Sequence, residues 1–338
     1  MKKLGGIVSE IIINEYGQDE YLRRLSNPYF FQALGCVLGF DFHSSGLTVT
    51  TLGALKESLN TLDIGVKIAG GKGKTSKKAP EQIEDIGTEF SLSTKQINRL
   101  VYSSKMSAKV DNTLIQDNYQ LYHHCFILNE KGSWAVVQQG MFDRYARRYH
   151  WLSSNVSSFV LEPHNAICGD KKENNVLNMT AKESEDAQKV SLDLVRDNPK
   201  HLEKYMKEPA QRTLTNFEFF SMPPRHTIVN MDKKNIESLR KAYEIQPGSY
   251  EELVSIKGIG PKTIRSLALI SDLVYGKPAS WRDPIKYSFA HGGKDGIPYP
   301  VNKAVYDGSI SILRDAIDKA KIGDNDRIYA IKRLNKFI

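Results

Sequence analysis

LYHHCFILNEKGSWAVVQQGM, Leu121 to Met141, holds two apolar-aromatic runs separated by Asn129 to Gly132. Runs of period two broken by a short Asn- and Gly-containing segment form a β-hairpin, so an antiparallel hairpin is expected here. Alternation assigns its faces. Tyr122, His124 and Phe126 share one side of the first strand, and His123, Cys125 and Ile127 the other. In the second strand Trp134, Val136 and Gln138 oppose Ala135, Val137 and Gln139. Antiparallel pairing then brings His123 and His124 towards Gln138 and Gln139, with Asp111 and Asp117 entering from just upstream.

Carboxylate oxygens with an occasional imidazole suit Mg²⁺ or Mn²⁺, and a bound ion activates water. Asp111, Asp117, His123, His124, Gln138 and Gln139 are therefore candidate catalytic residues, with Asp111, Asp117 and His124 as candidate metal ligands. The following MFDRYARRYH reads as a helix that offers Arg144, Arg147 and Arg148 to a nucleic-acid strand or to developing phosphoryl charge. Together these outline a site for phosphodiester hydrolysis. The competing reading is structural: adjacent histidines point to opposite faces, and no Asp followed by Glu-x-Lys marks a nuclease at this hairpin.

Upstream, Glu20 to Leu62 is mixed and punctuated by glycine, with a helix expected over Thr50 to Leu59 after a loop carrying His43, Ser44 and Ser45. IAGGKGKTSKKAPEQI then crowds glycine and lysine together and is expected as a mobile basic loop. Lys72, Lys74, Lys77 and Lys78 are either phosphate contacts or a solvated loop. Gly73-Lys74-Thr75 is not a P-loop, because that pattern needs a glycine where Ile68 stands. Ile97, Leu100 and Val101 predict a helix over Thr94 to Lys109.

Downstream, Thr180 and Glu183 form a capping-box pattern ahead of a charged helix that Asn198-Pro199 ends. A further helix is expected from Asp232 to Tyr243. VSIKGIGPKTIRSLALIS, Val254 to Ser271, sets Gly258 and Gly260 about one isoleucine, with Pro261 opening an apolar-periodic helix. The unpaired N–H groups of such a turn suit a phosphate. Lys257, Gly258, Gly260, Lys262, Thr263 and Arg265 are the candidate contacts. This segment resembles the helix-hairpin-helix motif of DNA repair and recombination proteins, which implies sequence-independent grip on a nucleic-acid backbone. SWRDPIKYSFAHGGKDGIPYPVNK is irregular and aromatic; Arg282 and Lys294 add further candidate contacts, and a packed strap is the alternative.

The chain has 338 residues, enough for two or three domains, and a formal net charge of +8, which favours polyanionic partners. Its three cysteines, Cys36, Cys125 and Cys168, form no CxxC pair; neither a disulfide framework nor a cysteine metal site is signalled, and a reducing cytoplasm is the expected compartment. No apolar run of about 18 residues is present, so no membrane span is expected. MKKLGGIVSEIIINEYG has no sustained apolar core and is read as the start of the fold.

PYFFQALGCVLGFDFHSSGLTVTTLGALKE, AGGKGKTSKKAPE, LYHHCFILNEKGSWAVVQQGM, RYARRYHWLS, LNMTAKESEDAQK and SWRDPIKYSFAHGGKDGIPYPV occur in order along nearly the whole chain. In these strings the chain resembles an uncharacterised prokaryotic family, number 763 among domains of unknown function. The resemblance implies a role in DNA metabolism and assigns no chemistry.

The expected fold is α+β: a mixed region over residues 1–224 with the hairpin, then a mainly α region over 225–338 with the helix-hairpin-helix at 250–275. The expected function is a metal-dependent, structure-selective endonuclease acting on structured or partly single-stranded DNA, with a homodimer compatible because many nucleases pair their sites. Two alternatives stand. One is a glycosylase or abasic-site lyase using Lys262 as the amine nucleophile, although Ser280 stands where its aspartate belongs and Asp283 is displaced. The other is a non-catalytic DNA-binding scaffold.

Overall fold

In the computed structural model of the protein, which describes residues 2–40, 46–169, 171–198, 233–287 and 303–337, four helices precede the first strand. They are α1 (Lys2–Tyr16), α2 (Gln18–Leu25), α3 (Pro28–Val37) and α4 (Leu47–Leu59). Asn27 starts α3 by accepting from the N–H groups of Tyr29 and Phe30 at 2.9 and 3.1 Å, and Pro28 suits the first turn. The expected helix over Thr50 to Leu59 thus begins earlier, while His43, Ser44 and Ser45 lie outside the described residues.

β1 (Val66–Lys72) and a 3₁₀ segment (Gly73–Lys78) replace the mobile basic loop expected from the glycines and lysines. The glycines made the stretch look unstructured, but Gly70 is required by the pairing. At φ +88° its position is left-handed, and a Cβ there would lie 2.2 Å from the carbonyl oxygen of His124. α5 (Ala79–Glu89) and α6 (Thr94–Thr113) follow, the latter started by a capping box between Ser93 and Gln96.

β2 (Ile115–Gln116), β3 (Gln120–Asn129), β4 (Trp134–Phe142), β5 (Tyr145–Leu152), β6 (Ala166–Gly169) and β7 (Leu177–Asn178) complete the strands. The main sheet has the order β1-β3-β4-β5-β6 and is antiparallel throughout. β2 pairs with β7 separately. The β3–β4 hairpin closes through Asn129, whose Oδ1 accepts from the N–H groups of Lys131 and Ser133 at 3.0 and 2.9 Å. MFDRYARRYH is not a helix. Phe142 pairs with Tyr145 across a two-residue turn in which Asp143 has φ +52°, and β5 continues the meander.

α7 (Glu185–Arg196), α8 (Lys233–Ile245), α9 (Tyr250–Ser255), α10 (Pro261–Tyr275), α11 (Lys303–Lys319) and α12 (Asp324–Phe337) make up the rest. No capping box starts α7, because the Thr180 hydroxyl donates to Asn178 Oδ1 at 2.7 Å and a 3₁₀ turn over Lys182–Ser184 intervenes.

Alternation sorts the strand residues into two cores. Phe126, Leu128, Trp134, Val136, Tyr149 and Trp151 pack with α5, α6, α7, α9 and α10. Cys125, Ile127, Ala135, Val137 and Leu152 pack with α1 to α4, α11 and α12. The architecture is thus mixed α and β, with a helical layer on each face of the sheet. Both cores draw on residues from either side of the 224/225 division expected from the sequence. A slip of one residue in β3 would send each row to the wrong core, at about 1.5–3 kcal/mol for each large apolar side chain displaced, which holds His124 opposite Gln138.

Candidate functional site

A chain of hydrogen bonds runs from α6 into the sheet. Ser104 Oγ lies 2.9 Å from His124 Nε2, and His124 Nδ1 lies 2.7 Å from Gln138 Oε1. Gln138 Nε2 donates to the Ser107 carbonyl at 3.0 Å and to Asp111 Oδ2. Trp151 Nε1 donates to the same Asp111 oxygen at 3.0 Å, and His164 Nε2 reaches its Oδ1.

The protonation of this chain follows from its far end. A peptide carbonyl only accepts, so the Gln138 amide nitrogen must face Ser107, and its oxygen must face His124. His124 then carries its hydrogen on Nδ1, which leaves Nε2 as an acceptor for the Ser104 hydroxyl. Burial pulls His124 below the usual histidine range, against the opposing effects of the Gln138 bond and the Asp111 charge, so the ring is neutral at neutral pH. Helical serines commonly bond back to a carbonyl of the preceding turn, as Ser103 does to Arg99 at 2.9 Å. Ser104 instead turns to the histidine.

The serine end of the chain opens into a pocket of about 280 Å³ lined by Ser76, Lys77, Pro80, Ser104, Lys105, Ala108, Leu121, His123 and His124. The register of β3 on β4 shifts between Leu121 and His123, as at a β-bulge, and both histidines that follow line the pocket. His123 Nδ1 is buried with no hydrogen-bond partner among the described residues, and burial pushes the ring down to about 3. β1 ends against β3 with Lys72 paired to His123, and the 3₁₀ segment then presents Lys74, Lys77 and Lys78 to solvent. With Lys105 on α6, these exposed lysines form no ion pair among the described residues.

Other expected site residues are placed elsewhere. Asp117 does not join Asp111. It accepts from Arg147 Nη1 at 2.6 Å and Tyr149 Oη at 2.8 Å, while its other oxygen accepts from the Tyr119 N–H at 2.9 Å. Arg147 and Arg148, expected on an exposed helix face, are instead buried on β5. Arg147 bridges Asp117 and Asp283, and the two carboxylates outweigh the cost of burial and hold it protonated. Arg148 donates to His150, Gln32 and Thr48 and lies over the Phe31 ring. Gln139 faces the opposite side of β4 from Gln138 and donates to Tyr122 Oη at 2.6 Å. Arg144 remains exposed at the β4–β5 turn.

Among the described residues no group of three or more His, Cys, Asp or Glu side chains is arranged to hold a metal ion. Asp111, Asp117 and His124 do not fit one, because their polar atoms are already committed to protein donors and acceptors. Ser104, Trp151, His164, Tyr149 and Asp283, which do complete these networks, carry no sequence signal. Ser104 is one serine among several in α6, and Asp283 meets Arg147 only in three dimensions.

At residues 250–275, α9, the turn Ile256–Gly260 and α10 form the expected helix, turn, helix. Gly258 has φ +102° and its Cβ position faces Ser238 Oγ at 2.3 Å, so this glycine serves the packing of the turn on α8. A Cβ at Gly260 would meet only the Gly258 carbonyl oxygen at 4.0 Å, an ordinary van der Waals contact. Lys109 Nζ, which burial pushes down to about 8, donates to the Ile256 carbonyl at 2.7 Å and pins the turn to α6. Gln116 Nε2 does the same to the Pro261 carbonyl at 2.8 Å. Lys257 and Lys262 are exposed. Thr263 is fully buried and does not present its hydroxyl to a ligand at the surface, and Arg265 lies over the Trp281 ring, 5.0 Å from its centroid. Arg282 is exposed on a segment strapped to β6 by bonds from the N–H groups of Lys286 and Tyr287 to the Ile167 carbonyl. Lys294 lies outside the described residues.

The family model described as "Protein of unknown function (DUF763)" matches residues 1–301. The chain belongs to the DUF763 family. The match takes in the relay, the lysines and the α9–α10 unit, and ends before α11 of this DUF763 chain. No curated protein and no solved structure matches the chain significantly. Among the described residues no helix is long and apolar enough to cross a membrane.

Proposed function

We propose that this protein binds DNA and acts on its phosphodiesters at the α6–β3 pocket, as an endonuclease on structured or partly single-stranded substrates in repair or recombination. The observation that carries this reading is the set of exposed lysines that form no ion pair among the described residues, Lys72, Lys74, Lys77, Lys78 and Lys105, about a pocket walled by Ser104, His123 and His124. Exposed cations beside a pocket whose lining carries a serine and two histidines attract a polyanion and offset the charge that a phosphoryl group gains during attack. Lys257, Lys262 and the uncrowded position at Gly260, whose nearest neighbour would be the Gly258 carbonyl oxygen at 4.0 Å, supply a second point of backbone contact on the α9–α10 unit. The divalent metal expected from the sequence has no part in this reading, since the carboxylates meant to hold it are bonded to Gln138, Trp151, Arg147 and Tyr149. The lyase alternative draws less support, because its amine chemistry calls for a desolvated lysine and Lys262 is exposed, while Asp283 is bonded to Arg147.

The test is cleavage of end-labelled single-stranded, duplex, bubble and forked DNA in Mg²⁺, Mn²⁺ and EDTA, with His124→Ala as control. Products that vanish in the variant support the reading. Binding without cleavage under every condition would make the protein a scaffold, and absence of binding would remove DNA as the partner.

A further inference from the structure

The relay ends in a hydroxyl, and the two residues at that end, Ser104 and His124, both line the pocket. We infer that Ser104 is the nucleophile of this site and that phosphodiester cleavage passes through a phosphoserine ester without a metal ion. The inference rests on the nucleic-acid reading for its substrate, whereas the reactivity of Ser104 rests on geometry alone.

An activated serine needs a base within hydrogen-bond reach, and that base needs a third group to orient it. His124 Nε2 stands 2.9 Å from Ser104 Oγ with its lone pair towards the hydroxyl, and Gln138 Oε1 at 2.7 Å holds the ring. Asp111 lies one residue further, bonded through the Gln138 amide, and its negative charge stabilises the imidazolium formed when His124 takes the serine proton. Trp151 and His164 fix the Asp111 carboxylate in turn. Lys77 and Lys105 line the same pocket and stabilise charge on the non-bridging oxygens.

The atoms balance with water as the second reactant. Ser104 Oγ attacks phosphorus and its proton passes to His124 Nε2; the Oγ–P bond forms, the bond from phosphorus to one sugar oxygen breaks, and that oxygen leaves with the proton from His124. Water then attacks the phosphoserine, giving its proton to His124. The Oγ–P bond breaks, Ser104 recovers its hydrogen, and the terminal phosphate is released.

The experiment treats the full chain with an alkyl fluorophosphonate in EDTA, where Ser104 Oγ would displace fluoride, and maps the adduct by peptide mass spectrometry. The expected result is modification of Ser104, at least tenfold slower in His124→Ala. An unmodified Ser104 in the wild-type protein, which needs no variant to fold, overturns the inference. A second arm uses end-labelled forked DNA in EDTA. Cleavage lost in Ser104→Ala with binding retained supports the inference, and cleavage that survives in Ser104→Ala overturns it. Fluorophosphonate labelling at Ser104 without any DNA binding would leave the nucleophile standing and remove only the nucleic-acid reading.

Discussion

Arg147 Nη2 on β5 lies 2.7 Å from Asp283 Oδ2 on the segment that straps β6, while its Nη1 reaches Asp117 at 2.6 Å. One buried guanidinium therefore joins β5 to a segment far along the chain. Arg147→Met would leave two buried carboxylates without their cation, at a cost of about 3–5 kcal/mol. Urea unfolding should register that loss, and amide exchange at Lys286 and Tyr287 should quicken as the strap loosens. An unchanged unfolding midpoint would mean that the pair contributes no net stability.

The two glycines of the α9–α10 turn separate folding from binding. Gly258→Ala meets Ser238 and requires φ +102°, so it should lower the melting temperature. Gly260→Ala, at φ −132°, meets nothing nearer than the Gly258 carbonyl oxygen at 4.0 Å and should leave the melting temperature within a degree or two. A bulkier Gly260→Leu should keep the fold and weaken DNA binding several-fold. Equal affinity for wild type and Gly260→Leu would show that this turn does not meet the backbone.

Acid should destabilise the protein through its buried histidines. His123, His124 and His150 are held below the usual range by burial first of all. The unfolded chain therefore binds protons below about pH 6.5 that the folded chain refuses. Their contribution is fully present above that pH and declines as pH falls, for His123 down to about 3. Urea midpoints measured from pH 7 to pH 4 should drop, and in His123→Asn they should drop less steeply. Parallel curves would exclude His123 as a source of the acid sensitivity.

The lysines beside the pocket make a quantitative claim. Replacing Lys72, Lys74, Lys77 and Lys78 with alanine should reduce the slope of log affinity against log salt by about 3–4 on duplex DNA if each meets one phosphate. Fluorescence anisotropy across a salt series measures this. An unaltered slope would place the nucleic-acid path elsewhere on the surface.

By itself, the sequence determined the hairpin, because period-two alternation in β3 and β4 can bury two apolar rows in only one register. That register alone carries His124 opposite Gln138. It also determined α6 and the helix, turn, helix at 250–275, which rest on contacts a few residues apart. Tertiary structure decided what those residues do. Arg147 and Arg148 read as surface cations because arginine is rarely buried without partners, and their partners Asp117, Asp283, Gln32 and Thr48 come from distant parts of the chain. Gly70 read as a loop residue because its close approach to His124 exists only once β1 pairs with β3. Ser104 had no signal at all. Its hydroxyl acquires a base only when α6 packs on the sheet, since hydrogen-bond geometry between a helix and a strand is a property of their packing and not of either sequence.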